Sequence, residues 1–349
     1  MSERRSHLPD SLGRTFSRAQ ALDLGASASR LRAADLEIPF RGVRSRVVRG
    51  EPQGAAGLWI DVPGEAERPS EAFDAGSRHP NALWAAAQRV RAAKYLPIMG
   101  PDEFFTGRTA AALWRLPVPS SGSADIHVGV LMPRSPPRRS GVRGARHTPG
   151  HVEVVEVGGV RVLSPASVWL VVGPILDDWD RVALGDQVVR APRVPGGSRP
   201  PPRMPYSTIE ALAEDLRLPR RRGRAALLSA LPLLRTGAAS PPETHTRLAL
   251  LGDRDLPEFE LDYDVRDDAG RFLGCSEIAF VEYRLAVEYE GDRHRVDREQ
   301  WNRDIEKYRA YEEAGWGTVR VTSEKLYRRV RDLRAQVRRS LVDRGWAPP

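Results

Sequence analysis

The segment APRVPGGSRPPPR at positions 191–203 can form neither a helix interior nor a central strand. Its prolines lack backbone donors and its paired glycines raise the entropic cost of ordering the chain. A chain broken in this way is expected to fold as separate bodies. With 349 residues and 41% hydrophobic content it can bury more than one core, and about 100–200 residues per domain leads to an expectation of two or three domains. The fold class expected is α+β and multidomain. The divisions read from the sequence are an N-terminal region at 1–50, an α+β middle domain at 81–190, a linker with helices at 191–239, and a C-terminal domain at 240–349.

Composition removes several classes. No apolar run reaches the roughly 20 residues that a membrane-crossing helix needs, and the longest candidate, Val168 to Leu176, is broken by Gly173 and Pro174. The opening MSERRSHLPDSLGR has basic residues without an apolar stretch behind them, so no secretory signal is read and a cytoplasmic location with no membrane partner is expected. The single cysteine, Cys275, excludes an intrachain disulfide framework. With the seven histidines scattered, a metal would have to sit on oxygen ligands. A net charge of +8 favours a polyanionic partner. Only three of the 54 basic residues are lysines (Lys94, Lys307 and Lys325), which points to a compositional preference for arginine, so position rather than abundance must carry that argument.

Near the N-terminus, Arg18 to Leu24 reads as a helix closed by Gly25, and Ser27 can cap a second helix to about Ala34. Ile38 to Val48, turning at Gly42, follows as a small β-wing would. One reading is a winged helix-turn-helix presenting Ser29, Arg30 and Arg32 on its second helix and Arg41 and Arg44 on its wing to DNA. The other is an ordinary helical hairpin with solvated arginines. Residues 51–80 read as a loop. In the middle region, helices are expected at Asn81–Leu96, with Leu83, Ala87 and Val90 on one side, and at Thr106–Leu113. Strands are expected at Asp125–Met132, His151–Val157 and Val160–Leu163, and a helical stretch capped by Ser164 runs on to Arg190. No catalytic constellation stands out there, and His127 and His147 read as structural or solvated.

The last hundred residues carry the chemistry. Ser240-Pro241-Pro242-Glu243 is a helix start, with Glu243 in the first turn. Alternation at Phe259–Val265, Glu277–Val281 and Arg284–Glu290 predicts strands. In the third, period-two geometry places Leu285, Val287 and Tyr289 on one face and Ala286, Glu288 and Glu290 on the other. With Glu277 on the preceding strand, three acidic groups would repel one another unless a cation lay between them, and hard oxygen ligands suit Mg²⁺ or Mn²⁺. A solvated acidic face is the other reading. An amphipathic helix follows Gly291, with Trp301, Ile305 and Tyr308 as its apolar stripe and Gln300, Arg303, Asp304 and Lys307 beside it. Strand Trp316–Thr322 and a last helix with an arginine-rich side complete the pattern.

The run GCSEIAF, RLAVEYEGDRHR and DREQWNRDIEKYRAYEEAGWGTVRVT resembles the endonuclease-like domains of the PD-(D/E)xK superfamily, close to the very-short-patch-repair group, over roughly Glu243 to Leu341. The segments FSRAQALDLGAS and FRGVRS more faintly resemble the winged helix of AbiEi-type antitoxins. The first resemblance implies a restriction-endonuclease-like mixed sheet flanked by helices and metal-dependent cleavage of DNA. It implies that Glu277, Glu288 and Glu290 are metal ligands and that Glu243 and His294 belong to the catalytic set; Lys307, on the helix's polar stripe, is read either as a catalytic group that orients the attacking water or as a solvated helix lysine. Arg293, Arg295 and Arg303 would then be phosphate contacts. Two positions depart from the pattern: Glu277 stands where the family has Asp, and Glu290 where the wider superfamily has Lys. Those departures favour a second expectation, a DNA-binding regulator or antitoxin-like protein without catalysis.

Overall fold

The computed structural model describes residues 7–47, 79–197, 203–291 and 298–349, the side chains of 298–303 excepted. The fold is mixed α and β, and the chain divides into two compact units: residues 1–175 with 211–227, and residues 176–210 with 228–349. Among the described residues no helix is long and apolar enough to cross a membrane.

The first unit begins with β1 (Thr15–Ser17), α1 (Arg18–Asp23), β2 (Leu36–Glu37) and β3 (Val43–Arg46), the strands forming a sheet in the order β1-β3-β2. Ser17 caps α1 by accepting from the Gln20 amide. Gly25, at φ +89°, takes the left-handed conformation that lets the chain leave the helix. The second helix expected to Ala34 is absent. Ser27 Oγ accepts from the Arg30 amide, but only one 3₁₀ turn, Arg30–Arg32, follows before Ala33 becomes extended. Leu31 and Leu36 fix that course by burying into a small core with Leu8, Leu12, Phe16, Ala21 and Ala26. The expected loop at 51–80 lies almost wholly outside the described residues.

Next come α2 (Pro80–Tyr95), β4 (Phe104–Phe105), α3 (Gly107–Leu113), β5 (Ile126–Leu131), β6 (Val142–His147), β7 (Val154–Val157), β8 (Val160–Leu163) and α4 (Pro165–Val172), with the sheet ordered β6-β5-β4-β8-β7. The Gly158-Gly159 turn joins β7 to β8 with both residues at positive φ, as a tight hairpin requires. Strand β6 was not expected, because VRGARH lacks apolar alternation; it pairs in parallel with β5. Helix α2 buries a different side from the expected one. Leu83 is 53% exposed, whereas Gln88 and Arg89 are buried. Gln88 accepts from Thr109 Oγ1 at 2.7 Å and Arg89 donates to the Ala112 carbonyl at 3.3 Å, so buried polar groups satisfy one another and hydrophobicity alone misplaces the face.

The second unit contains α5 (Asp178–Val189), α8 (Pro241–Leu251), β9 (Glu260–Arg266), β10 (Phe272–Phe280), β11 (Leu285–Glu290), α9 (Arg298–Glu313), β12 (Gly317–Thr322), α10 (Ser323–Arg328) and α11 (Val330–Val342); α6 (Ile209–Asp215) and α7 (Arg224–Ala230) lie in the segments shared out between the units. The sheet order is β12-β11-β10-β9, antiparallel except for the parallel pair β11 and β12, which α9 connects. One face packs Ile278, Phe280, Leu285, Val287, Val319 and Val321 against α8, α10 and α11. The other carries Val265, Ala279 and Ala286 against Tyr311 of α9 and Trp316. This division follows from strand alternation, and it assigns Glu288, two residues past Ala286, to the α9 face.

Composition places the domain break after Arg190, but the contacts place α5 with the second unit. The cause is a buried ion pair. Asp186 of α5 accepts from Arg247 of α8 at 2.8 Å, from Thr244 Oγ1 at 2.7 Å and from the Arg235 amide at 2.8 Å, with both charged side chains at most 2% exposed. The expected linker is also pinned for part of its length. Arg193 donates to Asp262 at 2.6 Å and to Asp264 at 2.7 Å on β9, and the Gly196 amide donates to Asp264 at 3.1 Å. Removing one partner from a buried pair leaves an uncompensated charge, at a cost of about 3–5 kcal/mol. Asp186→Ala is therefore expected to lower unfolding stability by that order in denaturant titration, while exposed Asp178→Ala changes it by under about 1 kcal/mol.

Candidate active site

Pairing between β10 and β11 runs Phe280↔Leu285, Ala279↔Ala286 and Ile278↔Val287. Continued by one residue, that register sets Glu277 opposite Glu288 on the α9 face. The ladder stops there, and the Glu277 side chain enters the gap, Oε2 accepting from the Tyr289 amide at 2.8 Å. A carboxylate thus takes the position of a strand carbonyl.

Glu288 is only 4% exposed. One carboxylate oxygen accepts from Lys307 Nζ at 2.9 Å, and the other, Oε1, is buried with no hydrogen-bond partner among the described residues. Helix α9 brings Lys307 to this point because glycine stands beneath it on β10. A Cβ at Gly274 would lie 3.1 Å from Lys307 Cγ and 3.1 Å from the Tyr311 hydroxyl. The ammonium sits 5.4 Å from the Tyr311 ring centroid and 5.7 Å from that of Tyr308, within range of attraction to both rings. Tyr311 Oη is likewise buried without a partner.

Glu243 completes the electrostatic group from the start of α8. Ser240 Oγ accepts from the Glu243 amide at 3.4 Å while Glu243 Oε2 accepts from the Ala239 amide at 2.8 Å, a reciprocal cap that holds the carboxylate at the helix start. Burial pushes Glu243 up to about 7 against the pull of the Ala239 amide. Glu277 is pushed well above the carboxylate range by burial, and further by the charges of Glu243 and Glu288. Burial also raises Glu288, opposed by Lys307. Three carboxyls therefore act on one another in a poorly solvated space, with one lysine beside them.

The other sequence-derived residues divide sharply. Glu290 is engaged by Arg320 of β12. Among the described residues no group of three or more His, Cys, Asp and Glu side chains is gathered closely enough to hold a metal ion, so the expected three-glutamate ligand set is not assembled. His294, Arg293 and Arg295 lie outside the described residues, as does the side chain of Arg303. In the N-terminal sheet region Arg32 and Arg41 are exposed, and Arg30 is paired with Asp35 at 2.6 Å. Arg44 is 8% exposed and donates to the Leu31 and Val43 carbonyls, so it braces the fold instead of projecting from a wing. Helix α9 also departs from its expected stripe: Ile305 is 51% exposed, and among the helix's described side chains the fully buried one is Tyr311, while that of Trp301 lies outside them. Tyr311 lies one turn beyond Lys307, a spacing visible in the sequence. Arg320 gave no signal, because its place depends on the β11–β12 register.

No protein-family profile matches the chain, and no solved structure matches it. Two curated relatives from Mycobacterium tuberculosis, the uncharacterized protein Rv2248 of strain ATCC 25618 / H37Rv and the uncharacterized protein MT2308 of strain CDC 1551 / Oshkosh, are each 30% identical over 121 residues. That match covers 35% of this chain, and the chain spans 44% of the length of either relative.

Carboxyls raised in the fold retain protons that the unfolded chain has released, so stability falls as pH rises across that interval. For Glu243 the contribution is complete below pH 4.5 and is lost as pH passes through about 7. The thermal midpoint, measured without divalent ions, is expected to fall between those limits. Glu277→Gln, which keeps an acceptor for the Tyr289 amide, is expected to flatten the decline; an unchanged slope would show that the cluster does not couple to stability.

Proposed function

We propose that the protein is a metal-dependent, endonuclease-like hydrolase that cleaves DNA phosphodiester bonds. The observation that carries this reading is Glu288: a buried carboxylate opposite Glu277, with one oxygen on Lys307 and the other without a partner. The arrangement of α8, β9, β10, β11, α9 and β12 around a mixed sheet is compatible with the PD-(D/E)xK-type fold that the sequence resembles.

Glu277 and Glu288 offer two of the hard oxygen donors that a divalent ion takes, and among the described residues no third acidic, His or Cys ligand is gathered with them. Glu277 and Glu288 supply carboxylate oxygens at the end of one ladder, and the vacant lone pairs of Glu288 Oε1 need a cation or a donor. Glu290 would join them only after parting from Arg320. Held by Glu277 and Glu288, an Mg²⁺ or Mn²⁺ ion would supply polarisation of a scissile phosphate and a lowered pKa for an attacking water. The protein's own groups do the rest. Glu277 is fixed by the Tyr289 amide, so its free oxygen has a set direction. Lys307, held between two tyrosine rings, is placed to orient a water or to offset charge on the phosphate.

A second reading, a DNA-binding regulator or antitoxin-like protein without catalysis, is favoured by the internal neutralisation of Glu288 by Lys307 and Glu290 by Arg320. Incubation with supercoiled, linear and single-stranded DNA plus Mg²⁺ or Mn²⁺ separates the two. Nicking is expected, and Glu288→Ala is expected to reduce it by at least about a hundredfold while leaving DNA binding in place. Binding with no metal-dependent cleavage by the wild-type protein would establish the regulator instead.

A further inference from the structure

Between Ile126 and Val152 the sequence contains no Asp or Glu and five arginines, where the chain's average of 46 acids in 349 residues would supply about three or four. That interval includes β6, an edge strand of the first unit's sheet. Elsewhere arginines commonly meet carboxylates, as in Arg181 with Asp178, Arg271 with Asp267 and Arg338 with Asp253. Among the described residues, no carboxylate pairs with Arg138, Arg143 or Arg146, and all three are exposed.

The fold gathers these side chains. Residues 132–141 lead from β5 back to β6, and the turn closes with the Val142 amide donating to the Arg139 carbonyl at 3.1 Å. Pro136 and Pro137 lie against Gly144 so closely that a Cβ there would come within 2.5 Å of the Pro137 carbonyl oxygen. The glycine lets the connection rest on the strand, and the prolines restrict its backbone, so Arg138 is held near β6 at reduced entropic cost. Arg143 and Arg146 alternate across the strand and lean to opposite sides of its free edge. Burial together with the nearby charges of Arg143 and Arg108 pushes His127 down to about 4, consistent with a positive potential along this side.

We infer that the β6 edge, through Arg138, Arg143 and Arg146, is a binding surface for the sugar-phosphate backbone of duplex DNA. The inference rests on the nucleic-acid reading above and adds residues other than the carboxylates of the second unit and the N-terminal arginines already named. Arg143 and Arg146 stand about 10 Å apart along the strand, near three steps of 3.4 Å on a duplex, so a repeating polyanion fits them where a single phosphate does not. Arginine favours phosphate oxygens through paired donors, and strand-edge amides add further donors. The same charges obstruct pairing with another strand, which is their competing explanation.

Salt dependence tests it. In the Glu288→Ala background with chelator, so that nothing is cleaved, duplex DNA affinity is measured against salt for the full chain and for R138A/R143A/R146A. The triple variant is expected to bind at least tenfold more weakly at low salt, and the slope of log affinity against log salt is expected to fall in magnitude by about two to three. R328A/R331A/R339A, which removes equal charge from exposed positions of α10 and α11, is expected to keep the parental slope. An unchanged slope in the first variant, an equal loss in the second, or tighter binding to duplex RNA than to DNA overturns the assignment. Self-association of the first variant with unaltered DNA binding would assign the arginines to edge protection alone. In cleavage assays of the otherwise wild-type protein, nicking that survives the triple substitution with KM unchanged sinks the surface and leaves the nuclease reading standing. Salt-sensitive binding without nicking does the reverse.

Discussion

Burying carboxylates side by side is among the least favourable things a small sheet can do, and the second unit is organised around doing it. The antiparallel ladder of β10 and β11 ends one step before Glu277 and Glu288, so their side chains replace a continuing row of backbone bonds. Glu277 recovers part of the cost by accepting from the Tyr289 amide. Glu288 recovers part by accepting from Lys307, which reaches it because Gly274 lets α9 come down against the strand. What stays uncompensated is local: one oxygen of Glu288 and the hydroxyl of Tyr311. Unsatisfied buried atoms are uncommon in folded proteins and mark places where strain, water or a ligand has to be considered.

Much of this unit was legible in its residues. Period-two alternation in RLAVEYE separated Leu285 and Val287 from Ala286 and Glu288, and the two hydrophobic clusters divide in the same way. The helix start read at Ser240-Pro241-Pro242-Glu243 formed, with Glu243 in its first turn. The failure at Glu290 is instructive, because strand parity puts it on the face of Glu288 but says nothing of Arg320 on the neighbouring strand. A diagonal partner depends on register between segments that α9 separates, and local pattern carries no register. Helix α2 failed for a different reason: its inward face is alanine, glutamine and arginine, and only the tertiary partners of Gln88 and Arg89 make that face stable.

Arginine serves two purposes in this protein, and its sheer abundance hides the distinction. Arg44, Arg193 and Arg247 are structural, joining separated segments by donating to carbonyls or carboxylates. Among the described residues the strand-edge arginines Arg138, Arg143 and Arg146 pair with no carboxylate. Composition treats both sets alike, whereas burial and the identity of the acceptor tell them apart.

The attachment of Arg193 to β9 bears on how the molecule can be dissected. A fragment cut after the proline run would retain Asp262 and Asp264 but discard the guanidinium that bridges them, setting two acids side by side next to Cys275 with their shared counter-ion gone. Such a fragment also begins beyond α5, so it strands Arg247 in the interior without Asp186. An autonomous C-terminal piece therefore has to start ahead of α5, near Gly173-Pro174, inside a stretch that the sequence reads as continuing helical to Arg190.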